Sequence, residues 1–137
     1  MKTTPRTKKK PSRSSLVKKL DSVFSLYIRQ RNADSRGFCT CVTCGKVGHY
    51  KKMQAGHFIS RKNYSTRWDE DNVQVQCVAC NVYRYGEQYK FSLWLDKMLG
   101  EGTAEKLHAK GLELVKFTNF ELEEMIEKYR EKLKRFS

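Results

Sequence analysis

The stretch "DNVQVQCVACN", residues 71–81, runs an alternating pattern into a Cys-x-x-Cys pair and closes on an asparagine. Val73, Val75 and Cys77 fall on one side of a two-residue period, which predicts a short strand leading directly into the first cysteine. A second pair, "CVTCG" (41–45), lies upstream, with 32 residues between Cys44 and Cys77. A two-residue gap lets both sulfurs of a pair reach one tetrahedral ion at about 2.3 Å, and four thiolates close its shell. Cys41, Cys44, Cys77 and Cys80 are therefore the expected ligands of a structural Zn2+. Gly45 supplies the backbone freedom that the first knuckle needs. Cys39, in "CTCVTC" (39–44), competes with Cys41 for this role; the knuckle spacing and the following glycine favour Cys41.

Composition narrows the setting. At 137 residues the chain has room for one compact domain but not two. No apolar run approaches the roughly 18 residues needed to span a bilayer. The basic N-terminus has no apolar segment behind it, so neither a membrane span nor a secretory signal is expected. Five cysteines without such a signal favour metal ligation in a reducing, cytoplasmic compartment over disulfides. The net charge is +13, and its location matters more than its size. Residues 1–86 hold 18 Lys and Arg against 5 Asp and Glu, a difference of +13, whereas residues 87–137 hold 10 of each. All the excess lies on the half that carries the cysteines. That placement points to a polyanion such as DNA, because each neutralised phosphate releases counterions.

Residues 1–14 combine prolines, hydroxyls and basic side chains with almost nothing apolar, and are expected to be a disordered basic arm. Residues 15–137 then form a single domain. Leu16, Val17, Leu20, Val23, Phe24, Tyr27 and Ile28 recur at helical steps until Asp34–Gly37 breaks the pattern. The opposite face carries Lys18, Lys19, Arg29 and Arg31, whose arginines are candidates to grip phosphate. "KKMQAGHFIS" (51–60) and "NVQVQC" (72–77) read as short strands, and a helix is expected after Cys77, ending near Gly86. Tyr89, Leu93, Trp94 and Met98 suggest a further helix, and glycines bound a short one within 100–111. The last helix opens on a Thr118–Glu121 capping box and carries Leu122, Met125, Ile126, Tyr129, Leu133 and Phe136 along one face. That face reads as intramolecular core, or alternatively as the contact of a homodimer.

Zinc closure would bring the ends of segment 45–76 together, leaving His57 in mid-loop and Asn81 just past the second pair. If the two strands pair, His57 and Asn81 can face one another. A neutral imidazole there takes a proton from water. A carboxamide oxygen suits a hard cation such as Mg2+, which sits naturally on phosphate. Spacing alone does not separate this from a structural histidine and an asparagine that caps a turn. Lys51, Lys52, Arg61, Lys62 and Arg67 surround the motif as candidate phosphate contacts. Trp68, Tyr83 and Tyr85 are of a type that stacks on unpaired bases, although core packing is the better expectation for at least two of them. His108 is far from the motif in sequence and is assigned no role.

"CVTCG" (41–45), "AGHF" (55–58) and "DNVQVQCVACN" (71–81) together resemble HNH, or ββα-metal, endonucleases, including the endonuclease VII resolvases. "VFSLYIRQRNAD" (23–34), "AGHFISR" (55–61) and "RWDEDNVQVQCVACN" (67–81) are similar to the NinG/Rap recombination proteins of lambdoid phages, from about residue 15 onward. The resemblance implies an α+β fold with a zinc-stabilised ββα-metal core flanked by N- and C-terminal helices. It also implies a metal-dependent endonuclease acting on branched recombination intermediates such as Holliday junctions. Carried onto this chain, it makes His57 the general base, Asn72 the residue that positions the loop facing it, and Asn81 a ligand of catalytic Mg2+ or Mn2+. Many HNH enzymes place an Asp or His directly before the base, where this chain has Gly56. Asp69 is the expected substitute among Asp69, Glu70 and Asp71, with Gln54 a weaker option. A junction resolvase needs two nicks, so a two-fold homodimer is expected. The rival expectation is a non-catalytic zinc module that binds DNA and recruits recombination partners, for which His57 would be dispensable.

Overall fold

Leu16, Leu20, Phe24 and Ile28 recur every four residues, and this stripe becomes the buried face of α1 (Arg13–Arg31). In this computed structural model, which describes residues 10–136, Ser12 caps α1 by accepting a hydrogen bond from the Ser15 amide at 3.2 Å. Arg13 and Ser14, placed by the sequence at the end of the basic arm, are therefore already helical. Residues 1–9 of that arm lie outside the described residues.

The final helix, α5 (Asn119–Lys134), forms both halves of its capping box: Glu121 N donates to Thr118 Oγ1 and Thr118 N to Glu121 Oε1. It packs on α1 through Leu122, Ile126 and Tyr129, with the Tyr129 ring edge-on to Phe24 at 4.9 Å. Those residues are intramolecular core, so they are not free to form a homodimer contact. Glu70 fastens the same pair of helices from below, accepting from Tyr27 on α1 and from Tyr129 and Lys132 on α5.

Between these helices the chain is mixed: short helices and two small antiparallel sheets. β1 (Phe38–Thr40) pairs with β2 (Val47–His49), and β3 (Gln54–His57) pairs with β4 (Val73–Gln76), with Gln54 opposite Gln76 and His57 opposite Val73. Two-stranded sheets of three or four residues do not stand alone in water. Val73 and Val75 are fully buried under α1, and Val42 N donates to Val75 O at 3.0 Å, which ties the first knuckle to β4. β3 is left as an edge.

The loop from β3 to β4 contains the one-turn helix α2 (Tyr64–Arg67). The helix expected after Cys77 is only a π-helical turn, Ala79–Tyr83. α3 (Gln88–Leu99) and α4 (Thr103–Gly111) then enclose a second, smaller core of Phe91, Leu95 and Leu107, with Phe58, Ile59 and Trp94 against it. Here the expected face of α3 is rotated. Tyr89, Leu93 and Met98 are exposed while Phe91 and Leu95 are buried. The segment is apolar on two faces, so periodicity does not choose between them. Arg31 is also not a free phosphate grip: it donates to Glu70 O, Val73 O and Gln74 Oε1, bracing the entry to β4.

Gly56 has a packing reason to be glycine. A Cβ built there would lie 1.9 Å from Gln76 Oε1. Gln76 is fully buried, and its Nε2 donates to Thr43 Oγ1 at 3.1 Å and Gly86 O at 2.8 Å, so it joins the first knuckle to the turn after the second. The space that a carboxylate before His57 would fill is occupied by this amide. Gly56→Ala is expected to lower stability by about 1–3 kcal/mol through overpacking. Urea unfolding checks this; an unchanged midpoint would mean that Gln76 swings aside freely.

Candidate functional site

The four sulfurs of Cys41, Cys44, Cys77 and Cys80 lie within 4.8 Å of one another, a cluster compatible with zinc. The β1–β2 hairpin presents the first pair, with Gly45 in the left-handed region (φ 81°) and Gly45 N donating to Cys41 O. The second pair follows the end of β4, where Cys80 N points at Cys77 Sγ at 3.4 Å. Burial opposes ionisation of Cys41, but the Thr43 hydroxyl and the amides of Cys77, Thr43 and Cys44 outweigh it and bring the thiol down to about 6. Against the Lys46 amide, burial and protons shared among the thiols push Cys44 the other way, up, and burial raises Cys80 as well. Four thiols in so close a group are a donor set that Zn2+ can hold by displacing those protons. Cys39 stands apart from this cluster, buried with its Sγ near Gly48 O at 3.6 Å.

Beside the cluster lies a cleft of about 1040 Å³ that takes in both His57 and Asn81. It follows the open edge of β3: α1 contributes Asp21, Ser25 and Arg29, the turn after Cys80 contributes Asn81 and Tyr85, and α4 contributes His108. His57 Nε2 is 2.9 Å from Arg67 O. A carbonyl only accepts, so Nε2 carries the proton and Nδ1 is the basic nitrogen of the neutral ring. Burial first, with the charge of Arg61 in support, drives the imidazole down to about 4 against the opposing pull of the Arg67 carbonyl. It is uncharged at neutral pH. Asn81 Nδ2 donates to Gln54 Oε1 at 2.7 Å, which leaves its carboxamide oxygen for another partner.

Asn72 is fully buried and spends its side chain on the loop: Nδ2 donates to Ile59 O and Thr66 O, and Oδ1 accepts from Ile59 N. It acts through the backbone that carries Arg67 O, and does not itself face the cleft. Asp69 is not at the cleft either; its carboxylate pairs with Lys110 at 2.5 Å and accepts from Asp71 N. Glu70 is committed to the α1–α5 junction. The carboxylate that does line the cleft is Asp21, held by Arg67 Nε and Trp68 Nε1, each at 3.0 Å, and by Arg67 NH2. This pairing also changes the expectation for Arg67, whose guanidinium is taken by Asp21 and by Arg61 O and is no free phosphate contact. Lys51, Lys52, Arg61 and Lys62 are all exposed, and Arg61 lines the cleft. Trp68 is core, but Tyr83 and Tyr85 are not: they are 76% and 88% exposed. His108, given no role from sequence, reaches the cleft because α4 packs beside α2. No periodicity or spacing signals that placement.

By type, Asn81 Oδ1 and Gln54 Oε1 suit a hard divalent cation, yet both are neutral, and Asp21 is already paired. The donor set therefore fits Mg2+ or Mn2+ only together with substrate phosphate and water oxygens.

These features define a class: a small α+β protein built on a cluster of four thiols compatible with zinc, beside a basic-rimmed polar cleft. Residues 2–137 match the family described as Bacteriophage Lambda NinG protein, and the chain belongs to that family. Protein ninG of Escherichia phage 933W is 26% identical over 129 residues, covering 89% of this chain and 58% of the relative. Protein ninG of Salmonella phage P22 is 25% identical over 129 residues, with the same shares of 89% and 58%. That of Escherichia phage lambda is 24% identical over 104 residues, 71% of this chain and 46% of the relative. The chain thus spans about half to three-fifths of the length of these curated relatives. No solved structure matches the chain, and among the described residues no helix is long and apolar enough to cross a membrane.

Two measurements check this site. Native mass spectrometry is expected to find one zinc per chain, retained in Cys39→Ser and lost in Cys41→Ser; the reverse would exchange the two ligands. His57 gives a pH signature. Its folded value of about 4 lies below the ordinary 6.5, so its contribution to stability is full above pH 6.5 and drains as pH falls from there towards 4. Replacing it, as in His57→Gln, should flatten the stability profile across that window, and an unaltered slope would place the imidazole in water.

Proposed function

We propose that the chain is a divalent-metal-dependent DNA endonuclease that acts on branched recombination intermediates such as four-way junctions. The observation that carries this reading is the shared cleft, with an oriented neutral imidazole on β3 and a carboxamide from the turn after Cys80. The strand–strand–turn succession around it is similar to the ββα-metal motif that the sequence resembles, and family membership supports a phage DNA-processing role.

In this reading His57 Nδ1 takes the proton from water as the water attacks phosphorus, a contribution of about 10²–10⁴ in rate. The Arg67 carbonyl keeps the ring in the tautomer that leaves Nδ1 free. Asn72 holds that carbonyl's loop, and the Asp21–Arg67–Trp68 contact holds it from α1. Bound Mg2+ or Mn2+ would polarise the scissile phosphate and stabilise the leaving oxygen. Asn81, assisted by Gln54, would provide protein oxygen to it. Lys51, Lys52, Arg61 and Lys62 would neutralise neighbouring phosphates. A homodimer would supply the second nick of a symmetric resolution, through a surface other than the buried stripe of α5.

A second reading, a zinc module that binds DNA without cutting it, is favoured by one observation: among the described residues no uncommitted carboxylate lines the cleft. A labelled four-way junction with Mg2+ separates the two. The nuclease reading expects cleavage by the wild type, a drop of at least about 10²-fold in His57→Ala, and similar binding by both. Equal binding with no cutting by either protein would leave the module.

A further inference from the structure

Beyond the second cysteine pair the chain runs "NVYRYGEQYK" (81–90), and three consecutive residues there adopt left-handed backbone: Tyr85 (φ 54°), Gly86 (φ 87°) and Glu87 (φ 48°). Glycine takes this region freely, but a side chain with a Cβ does not, and non-glycine residues held there cluster at functional sites. Here the surroundings impose it. Gly86 N donates to Cys80 O at 2.8 Å, Gly86 O accepts from buried Gln76 Nε2 at 2.8 Å, and Glu87 N donates to Arg84 O at 3.1 Å. One anchor belongs to a residue of the thiol cluster and another to β4.

The turn displays an aromatic ring. Tyr85 is 88% exposed, yet it lines the same cleft as His57 and Asn81. Its neighbours in sequence, Arg84, Gln88 and Lys90, are exposed and polar or basic, and Arg61 lines the cleft as well. Arg84 shares its charge with half-buried Glu87 at 3.9 Å, while Arg61 and Lys90 present theirs to solvent. A flat aromatic ligand tethered to an anionic chain fits both features. Bases inside an intact duplex have their faces covered by their neighbours, whereas an unpaired base offers one.

We infer that Tyr85 is a stacking platform for an unpaired nucleobase adjoining the phosphate in the cleft, so that the chain prefers nucleic acid with a gap, flap or branch point. The preference rests on the proposed action on DNA for its phosphate, but stacking needs no cutting. Aromatic stacking changes affinity by roughly tenfold or more per base.

The test uses the zinc-loaded full chain, with Ca2+ in place of Mg2+. The probes are a duplex and the same duplex carrying one unpaired 2-aminopurine in a gap. Wild type and Tyr85→Phe should quench the fluorophore and bind the gapped probe about tenfold tighter than the duplex. Tyr85→Ala and Tyr85→Gly should lose the quenching and the preference. The glycine variant should melt no lower than the wild type, because it relieves the left-handed residue, so loss of the ring is separated from loss of the fold. A wild type that binds gap and duplex alike overturns the inference, as does an alanine variant that discriminates equally well. Restoring Mg2+ distinguishes the two claims. Preference for the gapped probe with no cutting of a four-way junction sinks the nuclease reading alone, while His57-dependent cutting of the junction without a Tyr85-dependent preference for the gapped probe sinks the stacking alone.

Discussion

Four sulfurs held within 4.8 Å of one another are the constraint on which the other features rest. One pair comes from a hairpin of two three-residue strands and the other from just past a four-residue strand, elements too short to persist alone. A metal ion joining them would supply stabilisation of the order seen in small zinc modules, about 10–16 kcal/mol. The cluster also passes order outward. Gln76 bridges Thr43 and Gly86, Cys80 O anchors Gly86, and Asn81 is the residue directly after Cys80. Position at the cleft is thus a consequence of the knuckle, not of a large core.

The other wall depends on α1. Asp21 grips Arg67 and Trp68, Arg67 O fixes His57, and Asn72 ties the intervening loop. The site therefore has two supports, a thiol cluster for Asn81 and a helix for His57, and the open edge of β3 lies between them. The excess positive charge resides on this half of the chain. Neutral imidazole, neutral amides and basic surroundings suit a phosphodiester that brings its own negative charge, and with it a cation.

Features governed by local rules were legible in the sequence. The cysteine spacing named the four thiols, the four-residue stripe named α1, the capping box named the start of α5, and the alternation of Val73 and Val75 named β4. Features decided by distant pairings were not. Asp69 and Arg67 looked available, but Lys110 lies 41 residues from the first and Asp21 lies 46 residues from the second. Periodicity does not identify the buried face of α3, because Tyr89 and Leu93 share the apolar character of the buried Phe91 and Leu95. The strands β1 and β2 are short, with Phe38 and Val47 exposed, and carry no alternation to detect. Gly56 looked like a missing ligand; its cause, Gln76 filling that space, is visible only once β3 and β4 are paired.

The central claim is that one cleft brings His57 and Asn81 to the same phosphate. Crystals of the chain with a branched DNA and Mn2+, recorded at the manganese absorption edge, test it most directly. The expected result is a single anomalous peak in the cleft, about 2.1 Å from Asn81 Oδ1 and from a phosphate oxygen, with His57 Nδ1 turned towards that phosphate. A manganese ion bound elsewhere, or DNA seated on another face with the cleft empty, would contradict it.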